Sequence, residues 1–331
     1  MSIQIKVEKQ PILQIQGLKK HFPVKSSLGF LGGIKGNVKA VNDVSFELFE
    51  GETFGLVGES GCGKSTLGRT ILRLTEPTEG KAIYKSNDVF KLSPKAFDNM
   101  RQELQMVFQD PYSSLNPKKR IGSILEEPLI IHGIGNKKER TEKVMDILYK
   151  VGLQVDHYYR YPHEFSGGQK QRIGLARALI VNPKIVICDE PVSALDVSIQ
   201  SQIINLLQEL QADLNLAYIF ISHDLSVVRH ISDRVGVMYL GNMVEVAKTE
   251  ALYAKPLHPY TEALLSAIPR TNSEFKKERI ILKGEVPSPL NLPSGCVFHT
   301  RCPYAKEVCR HEVPVKKEVS PQHFVACHLY N

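Results

Sequence analysis

No stretch of the 331 residues stays apolar over the about 20 positions a helix needs to cross a bilayer. Met1 to Glu8 lack the apolar core and small-residue cleavage site of a secretory leader, so the chain is expected in the cytoplasm. No internal repeat is visible. Charge of neither sign dominates. The 42 basic and 35 acidic residues leave a net +7, which suits an acidic ligand or an anionic surface but does not by itself imply nucleic acid. Cysteines are few, six in all, and four of them, Cys296, Cys302, Cys309 and Cys327, crowd the C-terminus. In a reducing compartment that group reads as a metal site before it reads as disulfides. The rest is ordinary: 42% hydrophobic and 23% charged residues support a sizeable core, and the length predicts a main domain plus an appendix.

The stretch that organises the chain is Gly58-Glu59-Ser60-Gly61-Cys62-Gly63-Lys64-Ser65-Thr66, which fits G-x-x-x-x-G-K-[ST]. An apolar strand, 52–57, precedes it, and apolar residues at helical spacing, 66–74, follow. Glycines let successive backbone N–H groups turn inward and cradle phosphate oxygens, and the next helix points its positive end at the same place. Lys64 adds a charge toward the β- and γ-phosphates, and Ser65 offers a hydroxyl to Mg²⁺.

In chain order, 12–22 read as an edge strand ended by Phe22, and 23–39 as an inserted loop. Strands follow near 44–48 and 53–57, a helix at 88–101 and a strand at 104–108. Residues 112–165 change character and predict a mostly helical insert, with helices near 121–132 and 138–151. A helix at 168–181, strands at 185–190 and 217–221, an amphipathic helix at 197–214, a helix at 224–232 and a hairpin over 234–247 complete the pattern. Strands alternating with helices in this way predict an α/β fold around a parallel, doubly wound sheet. The strand ending in Asp189-Glu190 supplies the second half of a phosphoryl-transfer site: Asp189 for Mg²⁺, Glu190 to orient and deprotonate the attacking water.

With these residues in view, 12–247 resemble the nucleotide-binding subunit of ABC transporters. Phe165-Ser166-Gly167-Gly168-Gln169-Lys170-Gln171-Arg172 is similar to that family's signature sequence. In physical terms it is a second anion site at a helix start. The resemblance implies a P-loop NTPase fold with an antiparallel β-subdomain, the helical insert and a C-terminal extension. It also implies that the signature faces the γ-phosphate held by another subunit of a head-to-tail dimer. By the same resemblance Gln109 contacts Mg²⁺ and the attacking water, Ser193 to Asp196 form the loop crossing the dimer interface, His223 contacts the γ-phosphate, and Phe22 stacks on adenine. The ligand set it implies is therefore Phe22, Gly58, Ser60 to Thr66, Gln109, Ser166 to Gln169, Asp189, Glu190, Asp196 and His223 around ATP, with Ser65, Gln109 and Asp189 on Mg²⁺. The catalytic set is Lys64, Gln109, Glu190 and His223.

Pro256 to Leu265, with Asp110 to Pro117, resembles the dipeptide and oligopeptide importer ATPases, and the form of the signature resembles the second of their two paired ATPases. That likeness implies a cassette at 12–255 and an extension at 256–331. Its implied partners are a homologous second ATPase, two transmembrane permease subunits and, indirectly, an extracytoplasmic solute-binding protein, with no nucleic acid. The chain would sit peripherally at the cytoplasmic face of the membrane. Nickel importers share the architecture, and soluble ABC ATPases form the other class; the latter usually carry two cassettes or long coiled-coil insertions, which this chain lacks. The cysteines are spaced C-x5-C-x6-C-x17-C. The resemblance implies a [4Fe–4S] cluster on them, with zinc as the alternative, although the tight C-x2-C knuckles usual for zinc are missing. His299, His311, His323 and His328 leave mixed ligation open.

Overall fold

The structure, a computed structural model, describes residues 10–25, 34–110, 114–268 and 279–331. Its centre is an eight-stranded sheet in the order β11-β12-β10-β9-β3-β8-β7-β6. The parallel part runs through β9 (Arg234–Tyr239), β3 (Thr53–Val57), β8 (Ala217–Ile221), β7 (Ile185–Asp189) and β6 (Leu104–Val107). β3, β7 and β8 are buried at every position, because both faces of this parallel sheet are covered, one by helices and the other by the helix Lys64–Ile71 together with an antiparallel sheet. Side chains still alternate. Tyr218 and Phe220 enter one core while Ala217, Ile219 and Ile221 enter the other, as the period of two requires.

A second, antiparallel sheet has the order β2-β1-β4-β5, built from β1 (Leu13–Lys25), β2 (Ile34–Leu48), β4 (Glu79–Tyr84) and β5 (Asn87–Asp88). It packs on the main sheet, with the Phe46 and Phe54 rings stacked at 4.6 Å. Two expectations change here. β1 is an interior strand, paired on both sides with β2 and β4, and it continues past Phe22 to Lys25. The expected loop at 23–39 is, where described, the far end of a long hairpin pairing Val24 with Gly36 and Lys25 with Ile34; the rest of it, 26–33, lies outside the described residues. Backbone pairing carried this hairpin where side-chain alternation gave no signal. Between β5 and β6, the expected single helix is a 3₁₀ turn, Val89–Lys91, followed by a helix, Pro94–Arg101, that starts anew under a Ser93 cap.

Between β6 and the helix Gly167–Leu179 stand the helices Ile121–Ile131 and Lys137–Lys150; in the turn ahead of them, 111–113 lie outside the described residues. The second helix starts at Asn136, whose side chain accepts from the Lys138 and Glu139 N–H groups while Glu139 reaches back to the Asn136 N–H. The C-terminal extension rejoins the core instead of forming a body of its own. β10 (Asn242–Lys248) pairs with β12 (His323–Ala326), and β12 with β11 (Lys316–Ser320), so the chain's end lengthens the main sheet. No described helix is long and apolar enough to cross a membrane.

Candidate active site

The phosphate-loop residues leave the carboxyl end of β3, and the neighbouring parallel strands deliver the rest. β7 ends at Asp189 and runs into Glu190, β8 runs into Ser222 and His223, and β6 is followed shortly by Gln109. Ligands of open α/β sheets bind in this crevice because loops from adjacent strands converge there. The loop's backbone needs glycine. Gly58 and Gly63 have φ of 152° and 105°, and an added Cβ would lie 2.2 Å from the Met238 carbonyl oxygen and 1.9 Å from that of Ala40. Gly63 then caps the helix Lys64–Ile71, leaving its first N–H groups for a ligand. Lys64 is 4% exposed, and its Nζ donates to the carbonyls of Gly58 at 2.8 Å and Glu59 at 3.1 Å. Cys62 beside it is a buried thiol whose pKa burial pushes up, so it packs and does not react.

Ser65 Oγ donates to Asp189 Oδ1 at 2.6 Å. Asp189 is fully buried, its Oδ2 has no hydrogen-bond partner, and the closest cation, Arg69 Nη2, is 4.0 Å away. Burial, the largest influence, pushes the Asp189 carboxyl above its usual range. A buried carboxylate with one orphan oxygen next to a serine hydroxyl fits a divalent cation. Beside it, Glu190 Oε2 accepts from Gln109 Nε2 at 3.0 Å and lies 3.2 Å from His223 Nδ1. Glu190 holds a left-handed backbone, φ 46°, fixed by its N–H to the Ile221 carbonyl and by Ser193, whose N–H and Oγ both reach the Glu190 carbonyl. That strained conformation aims the carboxylate out of the sheet toward Gln109 and His223, and no sequence signal announces it.

The remaining expected ligands stand apart from this centre. Ser166 is exposed and caps the helix Gly167–Leu179, with Gln169 Oε1 accepting the Ser166 N–H at 3.0 Å. No hydrogen bond among the described residues joins 166–169 to the phosphate loop. Asp196 is exposed at the start of the helix Val197–Leu214. Phe22 is 38% exposed on β1, with Lys20 Nζ 4.7 Å from its ring centre. Ser166, Asp196 and Phe22 are exposed and Gly167 to Gln169 half-buried, so these are surfaces this chain does not fully cover itself.

All six cysteines are free. Cys296, Cys309 and Cys327 are buried and Cys302 is half-buried. Burial is the dominant influence on the Cys296, Cys302 and Cys327 thiols and pushes all three up, Cys296 to about 11, with the neighbouring cysteines adding to it. Among the described residues, however, no three His, Cys, Asp or Glu side chains stand in metal-ligating geometry. The metal-cluster extension expected from sequence is therefore, in this structure, a group of four thiols. Cys296 and Cys309 join the main core and Cys327 packs with Leu257 and Val325, as small apolar groups do. Mixed ligation finds no support either: ring nitrogens of His299, His311, His323 and His328 meet the Cys296 carbonyl, Glu307, Glu245 and the Glu312 carbonyl.

Residues 41–193 match the family described as ABC transporter, and 244–309 match the oligopeptide/dipeptide transporter C-terminal region. The oligopeptide transport ATP-binding protein AppF of Bacillus subtilis is 58% identical over 325 residues, covering 97% of this chain and 98% of that protein. The chain belongs to the ABC transporter family. Within it, the C-terminal match places the cassette among the oligopeptide/dipeptide transport ATP-binding proteins. The dipeptide transport ATP-binding protein DppF of Haemophilus influenzae is 51% identical over 320 residues, 97% of each chain. Among solved structures, a dimeric ATP-binding cassette in a post-hydrolysis state with ADP and phosphate superposes with a TM-score of 0.63 at 28% identity, covering 72% of this chain and 98% of that one. The cassette fold is thus matched nearly whole, and most of what lies beyond it here is the extension.

Proposed function

We propose that this cassette binds and hydrolyses ATP to power import of di- and oligopeptides, as the peripheral ATPase subunit on the cytoplasmic face of a membrane transporter. The convergence of Lys64, Asp189, Glu190, Gln109 and His223 at one crevice carries the hydrolytic half of this reading. The relatives named above, and the oligopeptide/dipeptide match at 244–309, support the peptide half.

The residues divide the work. Gly58 to Thr66 wrap the phosphates, and Lys64 exchanges its two carbonyl partners for the β- and γ-phosphates. Phe22 offers an exposed ring to the adenine. Ser65 and Asp189, with Gln109 near, would hold Mg²⁺, which when bound neutralises phosphate charge. Glu190 orients the attacking water and accepts its proton, while Gln109 and His223 hold the carboxylate's direction, with His223 next to the γ-phosphoryl group that passes to water as ADP leaves. Ser166 to Gln169 and Asp196 serve the nucleotide of a second ATPase in a head-to-tail dimer, which explains why they lie open here. The insert exposes Ile130, Ile131, Tyr149 and Tyr159 by 55, 72, 77 and 60%, apolar surface suited to two membrane permease subunits that a solute-binding protein feeds from outside.

The four thiols belong to the same proposal as the ligands of a [4Fe–4S] cluster, with zinc second. Cys309 Sγ accepts the Lys306 N–H at 3.4 Å, and the backbone amides of Phe298, Tyr304 and Leu329 lie on the sulfur side of Cys296, Cys302 and Cys327 and favour their charged forms. Amides aimed at sulfur stabilise thiolate charge, which a buried thiol acquires when a metal displaces its proton. The group would act as a structural staple, since ATP hydrolysis needs no electrons.

Glu190→Gln tests the reading. The variant is expected to bind ATP like the wild type, to lose at least about a hundredfold in turnover, and to trap a stable complex with its partner ATPase. Unchanged turnover removes Glu190 as the base.

A further inference from the structure

The cysteine-bearing segment reaches the phosphate loop directly. Arg301, between Cys296 and Cys302 in sequence, is 8% exposed and grips Glu59 with both arms of its guanidinium, Nη1 to Oε2 at 2.8 Å and Nη2 to Oε1 at 3.1 Å. Glu59 is the residue after Gly58 in the phosphate loop. Its backbone N–H donates to the Tyr260 hydroxyl at 2.8 Å, and its carbonyl accepts from Lys64 at 3.1 Å. Tyr260 cannot move away: it is fully buried, its ring 4.7 Å from Tyr239 and 5.4 Å from Phe298. The guanidinium of Arg301 lies over the Tyr239 ring, 5.8 Å from its centre. Of the four partners of Glu59 among the described residues, two, Arg301 and Tyr260, lie C-terminal to the cassette; the other two, Lys64 and the Cys62 N–H at 3.2 Å, belong to the loop itself.

Glycine-rich loops lose much backbone freedom when they order around a ligand. Lys64 donates to two carbonyls of the loop, bonds it gives up on turning to phosphate. The Arg301 and Tyr260 bonds use the Glu59 carboxylate and N–H and leave Lys64 and Ser65 free, so they persist. We infer that Arg301 and Tyr260 are positioning residues of the ATP site, through which the C-terminal extension pre-organises the phosphate loop for the triphosphate. The inference rests on reading 58–66 as the ATP phosphate site. A bidentate fork matters here: a lysine supplies the charge without the geometry.

The test is equilibrium binding of a fluorescent ATP analogue to the purified full-length chain, alongside its ligand-free melting temperature. Arg301→Ala and Glu59→Gln are each expected to weaken binding roughly tenfold. The double variant should be no weaker than the worse single, and Arg301→Lys should fall between Arg301→Ala and wild type. Tyr260→Phe, which keeps the ring and removes only the hydroxyl, should cost several-fold in affinity with little change in melting, and it stands in if Arg301→Ala fails to fold. A merely structural pair would lower the melting temperature and leave affinity intact. Wild-type affinity in the folded Arg301 and Tyr260 variants, or losses that multiply in the double variant, overturns the inference. Failure of the wild type to bind the analogue brings down the phosphate-loop reading itself.

Discussion

Gly63 and Gly174 show how differently one residue type works in this chain. At Gly63 the left-handed backbone and the Ala40 carbonyl leave no room for a methyl group. Gly63→Ala is expected to cost about 1–3 kcal/mol and to abolish ATP binding, because the loop must move to admit the side chain. Gly174 sits within the helix Gly167–Leu179, and an alanine methyl there would meet nothing within 4 Å. Gly174→Ala should instead stabilise the chain by roughly 0.5–1 kcal/mol, since alanine loses less backbone freedom on becoming helical. Denaturant midpoints and ATP titrations of the two variants check both signs. Glu190 adds a residue-scale lesson. Its chemistry was legible at a strand end, but its left-handed backbone was not, because it follows from the turn tied down by Ile221 and Ser193.

Elements in this chain are set by their ends as much as by their periods. The helix Pro259–Ser266 begins under His258, whose Nδ1 accepts the Tyr260 N–H at 3.1 Å, so the ring must be neutral there. The environment enforces it. His258 is 1% exposed beside the Phe298 ring, and burial pushes its pKa down to about 4 from 6.5 although the Glu245 carboxylate opposes the shift. Glu245 itself accepts the Leu257 and His258 N–H groups and faces His323 at 2.7 Å. A depressed imidazole pKa makes the unfolded chain the better proton binder between these values. His258's contribution is therefore complete above about pH 6.5 and is lost as the pH falls toward 4, by on the order of 3 kcal/mol. Urea unfolding across that range should show the slope, and His258→Asn, which keeps a capping acceptor, should flatten it. Wild-type slope in that variant would assign the dependence to another group. The same helix presents Tyr260 to the phosphate loop, so a cap, a hydroxyl and the ATP site share one short segment.

At the scale of the whole molecule, the extension returns to the cassette repeatedly, with β12 on β10, His323 on Glu245, and Tyr260 and Arg301 on Glu59. The four thiols lie in the same region, and a metal on them would brace it. Protein purified without oxygen is expected to be brown, with a visible absorbance that bleaches on reduction. Removing the metal with a chelator should lower the melting temperature by several degrees and weaken ATP binding through Arg301. Colourless protein with stoichiometric zinc would replace the cluster by zinc, and metal-free protein of full stability would leave four structural thiols.

The sequence by itself determined the parallel strands of the core sheet and most of the helices beside it. The helix 197–214 carries a helical period, the strands 185–189 and 217–221 are short β-branched and aromatic apolar runs too brief for a helix, and the phosphate loop is a local motif whose parts are contiguous. Tertiary structure alone decided what spans long sequence separations. It made β1 an interior strand, paired Val24 with Gly36 and Lys25 with Ile34, carried the chain's end back into the main sheet and set Arg301 against Glu59, 242 residues away in sequence. Backbone pairing and single ion pairs leave no period in the chain, so only the folded packing could reveal them.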